Sequence, residues 1–268
     1  RMTQQDAEAL KALRLRFQKL NIGAVKLYVD GVVESHTAAL LTPYANRATR
    51  GLPKFDQADL NRTIAMLDRD GWQIMVHAIG DGGVRMTLDA LEHANQVQPT
   101  PERPRRHRLE HIETLSQADN ARFARLGVIA SMQPYHANPD SNVFNVWAAN
   151  LGPERAARAW AWKSIHEAGG QLAFGSDWPV VGIDPRIGMH TALTRQTIDG
   201  QPAGGFVPAQ RLPLRTVVEA YTLGSARAEY AEDRKVMLAS GMLADVVVWN
   251  KDFFALPPDR VHTAEVAL

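Results

Sequence analysis

The 268-residue chain contains no cysteine. That absence excludes disulfides, cysteine-ligated zinc and a thiol nucleophile, and it leaves histidine, aspartate, glutamate or a modified lysine as the side chains able to hold a metal. An excess of one charge is lacking too: 30 basic residues against 29 acidic ones give a net charge of +1, with no long run of either sign. The electrostatic footprint expected for a nucleic-acid or anionic-membrane partner is therefore missing. No apolar run approaches the roughly 20 residues that span a bilayer. The opening RMTQQDAEAL is no signal peptide. A cytoplasmic protein is the expectation, and because the chain opens on Arg1 and enters a helix at once, it is expected to begin inside a longer protein.

What is present is an ordinary globular composition, 45% hydrophobic, enough for one large core with at most a small appendage. Thr3 caps a helix whose apolar positions Leu10, Leu13, Phe17 and Leu20 recur at helical spacing up to Asn21. Ala24 to Gly31 reads as a buried strand closed by a turn, and after a long loop Asp56 caps a helix running to Asp70. Strands at 72–79, 106–112, 128–134 and 171–176 then alternate with helices at 83–97, 116–126 and 154–168. Strands separated by helices imply a parallel α/β sheet, either doubly wound or part of a (β/α)8 barrel.

In both architectures reactive groups collect at the carboxyl ends of the strands. The first strand carries Lys26 and ends in Asp30-Gly31; the next three end in His77, in Glu110-His111 and in Gln133-Pro134-Tyr135-His136; the last ends in Ser176-Asp177. One histidine at a strand end is usually structural, but recurrence at successive ends argues for a shared site. Two imidazoles and a carboxylate from His77, His111 and Asp177 suit one or two zinc ions or another divalent cation. Lys26 is costly to keep charged inside a barrel; as a neutral amine it could form a Schiff base, or combine with carbon dioxide to give an anionic carbamate ligand. Regular alternation puts Glu110 on the face opposite His111. His93, His107, His166, His190 and His262 read as structural or surface residues, and Trp147, Trp160 and Trp162 as cover for the core or a pocket.

The stretches KLYVDGVVESHTAALLTPY, VHAIGDGG, RHRLEHIE, ASMQPYH and LAFGSDWPV, in this order, resemble the amidohydrolase superfamily, within it the YtcJ-like branch that includes N-substituted formamide deformylases. The resemblance runs from Val25 to Pro258 and implies a distorted (β/α)8 barrel of the TIM type with a small β-sandwich. It begins at the fourth barrel strand, so residues 1–235 are expected to form strands 4 to 8 of the barrel, and 236–268 a C-terminal β-sandwich segment. It implies that Lys26 is a carboxylated bridging ligand, that His77 and His111 bind metal, and that Asp177 is ligand and proton acceptor. Two departures stand out. The family's H-x-H pair is absent, and Met242, in the expected return strand Ser240 to Trp249, stands where a lysine is usual.

The function so implied is metal-dependent hydrolysis of a carbon–nitrogen bond in a small-molecule amide, with metal-activated water attacking the carbonyl. Asp177 would move the proton, His136 would stabilise the oxyanion, and Gln133, Tyr135, His36 and Trp178 are candidate substrate contacts. A homo-oligomer is compatible with this reading. Two other classes stay open: a Schiff-base lyase built on Lys26, and an inactive truncated barrel that serves as a binding domain.

Overall fold

The computed structural model describes residues 3–16, 23–101 and 103–267. The first helix, α1 (Gln4–Arg16), opens on a reciprocal cap: the Asp6 backbone N–H donates to Thr3 Oγ1, and the Thr3 N–H donates to the Asp6 carboxylate. Its expected continuation through Phe17 and Leu20 lies outside the described residues. Five strands follow, β1 (Ala24–Tyr28), β2 (Gln73–Ala78), β3 (Arg108–His111), β4 (Ile129–Met132) and β5 (Gln171–Phe174). All pair in parallel, and their spatial order is their chain order. A doubly wound sheet would reverse direction at a switch point; among the described strands there is no such reversal. Helices α2 (Gln57–Arg69), α3 (Asp81–Val97) and α4 (Asn120–Leu126) connect the strands. Among the described residues no helix is long and apolar enough to cross a membrane.

The register explains which face does what. Residues paired across a parallel sheet share a face and alternate along each strand. The row Leu27, Val76, Leu109, Ala130 and Leu172 is apolar and buried in the main core. That core also holds Leu60, Ile64 and Leu67 of α2 and Val84, Leu88 and Leu91 of α3. The flanking rows face the other way. One contains Lys26, Met75, Arg108, Ile129 and Gln171; the other contains Tyr28, His77, Glu110, Ser131 and Ala173. The face opposite the helix-covered apolar one is thus largely polar.

Several expectations need correction. Glu110 shares His77's face, and its carboxylate lies 3.3 Å from Arg108 Nε, because alternation breaks immediately after it: His111 and Ile112 have φ of +78° and +53°. The helix expected over 154–168 is split into Pro153–Ala156 and Trp162–Glu167. Trp160, at φ +47°, interrupts it by donating its N–H to Glu113 O and stacking on Trp147. Each strand is shorter than expected. The return strand over Ser240 to Trp249 is not formed among the described residues; one antiparallel bridge joins Trp249 to Val266, while Val246, Val247 and Val248 stay exposed. A run of apolar residues makes a strand only when a neighbouring strand shares its backbone hydrogen bonds. Beyond them, Phe253 and Val261 pack into the main core.

Two buried carboxylates tie the two ends of the sheet. Asp30, past the end of β1, is wholly inaccessible and accepts three backbone N–H bonds: Oδ2 from Ala39 (2.9 Å) and Gly80 (2.8 Å), Oδ1 from Ile79 (3.0 Å). Burial outweighs those donors and raises its pKa to about 6. Approach is close enough there that a Cβ on Gly80 would fall 2.0 Å from Ala39 O. At the opposite end, Asp68 of α2 accepts two bonds from Arg105, each 2.7 Å, and one from His107 Nε2 at 3.0 Å. Burial pushes Asp68 up, but its bonds to His107 and Arg105 win and hold it at about 2.

Asp30→Ala should strand three buried N–H groups and lower unfolding stability by at least ~3 kcal/mol; a urea midpoint within error of wild type would show that the carboxylate organises nothing. Because Asp68 has a depressed folded pKa, its stabilisation is present above the ordinary carboxylate range and lost as pH falls toward its folded value. Between about pH 5 and about pH 2 the wild-type chain should lose ~2 kcal/mol that Asp68→Asn does not lose. Parallel acid limbs in urea titrations of the two proteins would contradict this.

Candidate metal centre

At the carboxyl ends of the strands lies a cleft of about 470 Å³, lined among others by Lys26, His77, His111, Tyr135, His136 and Asp177. Three of these converge most tightly. One ligand atom each from His111, His136 and Asp177 lies within 4.8 Å of the others. Local backbone aims them: His111 at the end of β3 and Asp177 beyond β5 both take left-handed φ, +78° and +61°, so neither continues its strand's alternation. His136 sits on the single helical turn Pro134–Ala137 that follows β4, and its ring stacks on that of His111 at 5.9 Å.

Hydrogen bonds fix which nitrogens are available. The His111 Nδ1 atom lies 2.8 Å from Gln133 Oε1, an acceptor, so Nδ1 carries the hydrogen and Nε2 keeps its lone pair. On His136 the ring bonds the Ser176 backbone, and Nε2 is buried with no partner. An orphaned buried imidazole nitrogen beside a second free nitrogen and a carboxylate is what a divalent cation would complete. Protonation agrees with ligation, which needs neutral imidazole. Burial lowers His136, and burial reinforced by His77, Lys26 and His136 holds His111 well below its ordinary value. The donors therefore fit a metal.

His77 is close to this group but differently committed. Its ring meets that of His111 edge-on at 4.6 Å, yet its Nε2 donates to Gly31 O at 2.9 Å and lies 3.6 Å from Asp30 Oδ1, so Nδ1 is the atom left for a ligand. Burial lowers its pKa as well. Lys26 lines the same cleft with its Nζ 5.2 Å from the centre of the Tyr28 ring, over which Lys54 also sits at 5.2 Å. Of the four candidate substrate contacts, only Tyr135 lines the cleft. Gln133 instead orients His111; His36 is pinned by Asn46 at 2.9 Å on the loop; Trp178 is exposed, and Val180 and Val181 line the cleft in its place.

Two further buried carboxylates, Asp30 and Glu113, stand beside these residues. Asp30 was visible only as a strand terminus, although its pairing with Gly31 hinted at a buried turn. Glu113 lies two residues beyond His111 in the stretch RHRLEHIE, and nothing in its spacing marks it as buried. Yet it lines the cleft with one oxygen held by Trp147, and burial, with Glu34 nearby, raises its pKa to about 8.

The model of the amidohydrolase family matches residues 2–268. The chain is 32% identical over 248 residues to the putative amidohydrolase YtcJ of Bacillus subtilis, covering 92% of this chain and 45% of that protein. It is 23% identical over 230 residues to the N-substituted formamide deformylase of Arthrobacter pascens, covering 86% and 41%. Among solved structures, an uncharacterized metal-dependent hydrolase of Pyrococcus horikoshii superposes with a TM-score of 0.79 at 25% identity, over 94% of this chain and 50% of that one. The chain thus spans a little under half the length of the curated relatives it matches.

If the three convergent groups hold a cation, His111→Ala and His136→Ala should each weaken zinc binding by at least about tenfold. Gln133→Leu, which leaves every ligand in place but releases His111 Nδ1, should weaken it by about tenfold to a hundredfold. Competition with a chelating dye measures all three, and zinc affinity unchanged across the set would remove the site.

Proposed function

The chain belongs to the amidohydrolase family, and from that premise we propose that the protein is a metal-dependent hydrolase cleaving the carbon–nitrogen bond of a small-molecule amide. The observation that carries this reading is the convergence of His111, His136 and Asp177, with the His136 Nε2 atom buried and unpartnered. These three would hold a divalent cation, zinc by the chemistry of the donors. His77 through Nδ1, and Lys26 as a carbamate, would add donors for a second ion. A closed (β/α)8 barrel around this arc is part of the proposal, and the activity is proposed for the whole protein.

Bound there, the cation would supply Lewis acidity and a water acidic enough to ionise near neutrality. The residues of the chain do the rest. Asp177, exposed to the cleft, accepts the proton of the attacking water on a carboxylate oxygen and returns it to the departing nitrogen, so that an amine leaves rather than an amide anion. Gln133 keeps the His111 ring in one tautomer and orientation throughout. Tyr135, beside His136 on the same turn, faces the cleft where a carbonyl oxygen would gather charge, and its hydroxyl is a donor for it. A Schiff-base reaction of Lys26 would leave the convergent imidazoles and carboxylate without a role.

Asp177→Asn keeps the size and one oxygen but not the basic carboxylate, so zinc should be retained while amide turnover falls by at least about a hundredfold. Lys26→Ala should reduce zinc content and turnover together, with partial recovery on adding a short carboxylic acid. Near wild-type turnover by zinc-loaded Asp177→Asn would move the proton-transfer role elsewhere, and full zinc content and activity in Lys26→Ala would exclude the carbamate.

A further inference from the structure

We propose that His190 and His262 form a second cation site, a two-imidazole clip for zinc or a similar divalent transition metal that fastens the C-terminal segment to the helix Pro185–Thr194. Neither residue lines the cleft, and the inference does not depend on the hydrolase reading. His190 stands in that helix and is buried, 1% exposed. His262 is partly buried on the short 3-10 helix Pro258–Thr263, which packs against it. The two Nδ1 atoms approach to 3.3 Å, with the ring planes at 90°. That separation lies beyond the roughly 2.7–3.2 Å of well-formed N–H hydrogen bonds. Two nitrogens that are each about 2.0–2.1 Å from one tetrahedral zinc ion stand about 3.3 Å apart.

The partners of His190 agree with ligation. Its Nε2 lies 3.1 Å from Thr197 O, an acceptor, so Nε2 carries the hydrogen and Nδ1 keeps its lone pair toward His262. A carbonyl on the far nitrogen is the arrangement that orients a metal-binding imidazole. Burial lowers the His190 pKa, which favours the neutral ring a metal needs. Asp259 precedes His262 by one turn of a helix with three residues per turn, so it stands on the same side. As placed, the two nitrogens are the donors in position; the exposed Asp259 carboxylate, swung inward, or water would fill the remaining places. His262 is 72 residues from His190 along the chain, so an ion held by both closes a long loop. Val261, wholly buried, and the Arg186 bond to Ala264 O already seat the segment there. On the opposite side of the same helix, a Cβ on Gly188 would fall 3.4 Å from Tyr135 N, on the turn that carries His136. The helix clipped on one side thus backs the candidate metal centre on the other.

If the two rings only shared a hydrogen bond, zinc would leave the segment as it was. Lys251 and Arg260 are exposed tryptic sites within it, and their cleavage can be timed in the full chain with zinc or with a chelator, against an unfolded peptide that reports any effect on the protease. Zinc should slow cleavage at least about fivefold in wild type, and also in His136→Ala, where the candidate centre has lost a ligand. His262→Gln keeps a polar side chain at a partly exposed position, so its cleavage in chelator should stay within about twofold of wild type. In that variant zinc protection should vanish, and equilibrium dialysis should find about one equivalent less zinc than in wild type. No protection in wild type, or protection and zinc content that survive His262→Gln, overturns the clip. Protection lost in His136→Ala but kept in His262→Gln would assign it to the cleft and overturn the clip as well.

Discussion

A carboxylate without access to water must find its donors in the protein, and Asp30 finds three in the backbone. Those three N–H groups belong to two separate stretches: Ala39 in the loop after β1, and Ile79 and Gly80 at the turn from β2 into α3. A single side chain thus fixes the distance between the ends of neighbouring strands. The consequences reach the cleft. With Asp30 in place, Gly31 O stands where His77 Nε2 can donate to it, and His77 in turn packs edge-on against His111. Nearby, Asp81 Oδ1 accepts from Leu41 N–H at 2.9 Å, adding a second stitch between the same loop and the same helix start. The loop that carries Glu34 is therefore part of the scaffold.

The sheet beneath follows from a division of labour between faces. Parallel strands covered by helices bury one face, and the row from Leu27 to Leu172 fills it. The other face carries lysine, arginine, histidine and glutamate in register, with Arg108 and Glu110 side by side. Such residues are expensive to enclose unless they are paired or put to use. Their concentration on one face, with the convergent ligands at its carboxyl edge, is the structural reason to look for chemistry there and nowhere else on the sheet.

Much of this was legible from the sequence, and the boundary of legibility is physical. Buried apolar stretches closed by turns and separated by helices predicted all five strands and their parallel pairing, because a strand covered by helices must be apolar and must be re-entered from the same end. Lys26, His77, His111, His136 and Asp177 could be picked out because strand ends are where a parallel fold exposes polar groups, and all five line the cleft. What spacing does not encode is how backbone leaves a strand. The left-handed turn at His111 set Glu110 on an unexpected face, and the partnering of His136 with His111 and Asp177, with His77 committed to Gly31, depends on hydrogen bonds between distant segments. Trp160 broke a helix that local propensity favoured, because its N–H and ring both had better tertiary partners. In the tail, the resemblance implied a return strand, but pairing decides strands, and among the described residues the pairing there amounts to one bridge, Trp249 to Val266, with flanking backbone bonds from Ala267 N–H to Val248 O and Asn250 N–H to Glu265 O.

The left-handed backbone at His111 and Asp177 also sets a trade-off. A non-glycine residue in that region costs on the order of 1–3 kcal/mol, less for aspartate, asparagine and histidine than for most side chains. Glycine at position 111 would be free of that cost but would give up the buried ring's bond to Gln133 and its packing against His77 and His136. The strained turn is thus held by the same partners that orient the ligand, so a substitution that loosens the packing of the cleft would let the turn relax and carry the imidazole out of position.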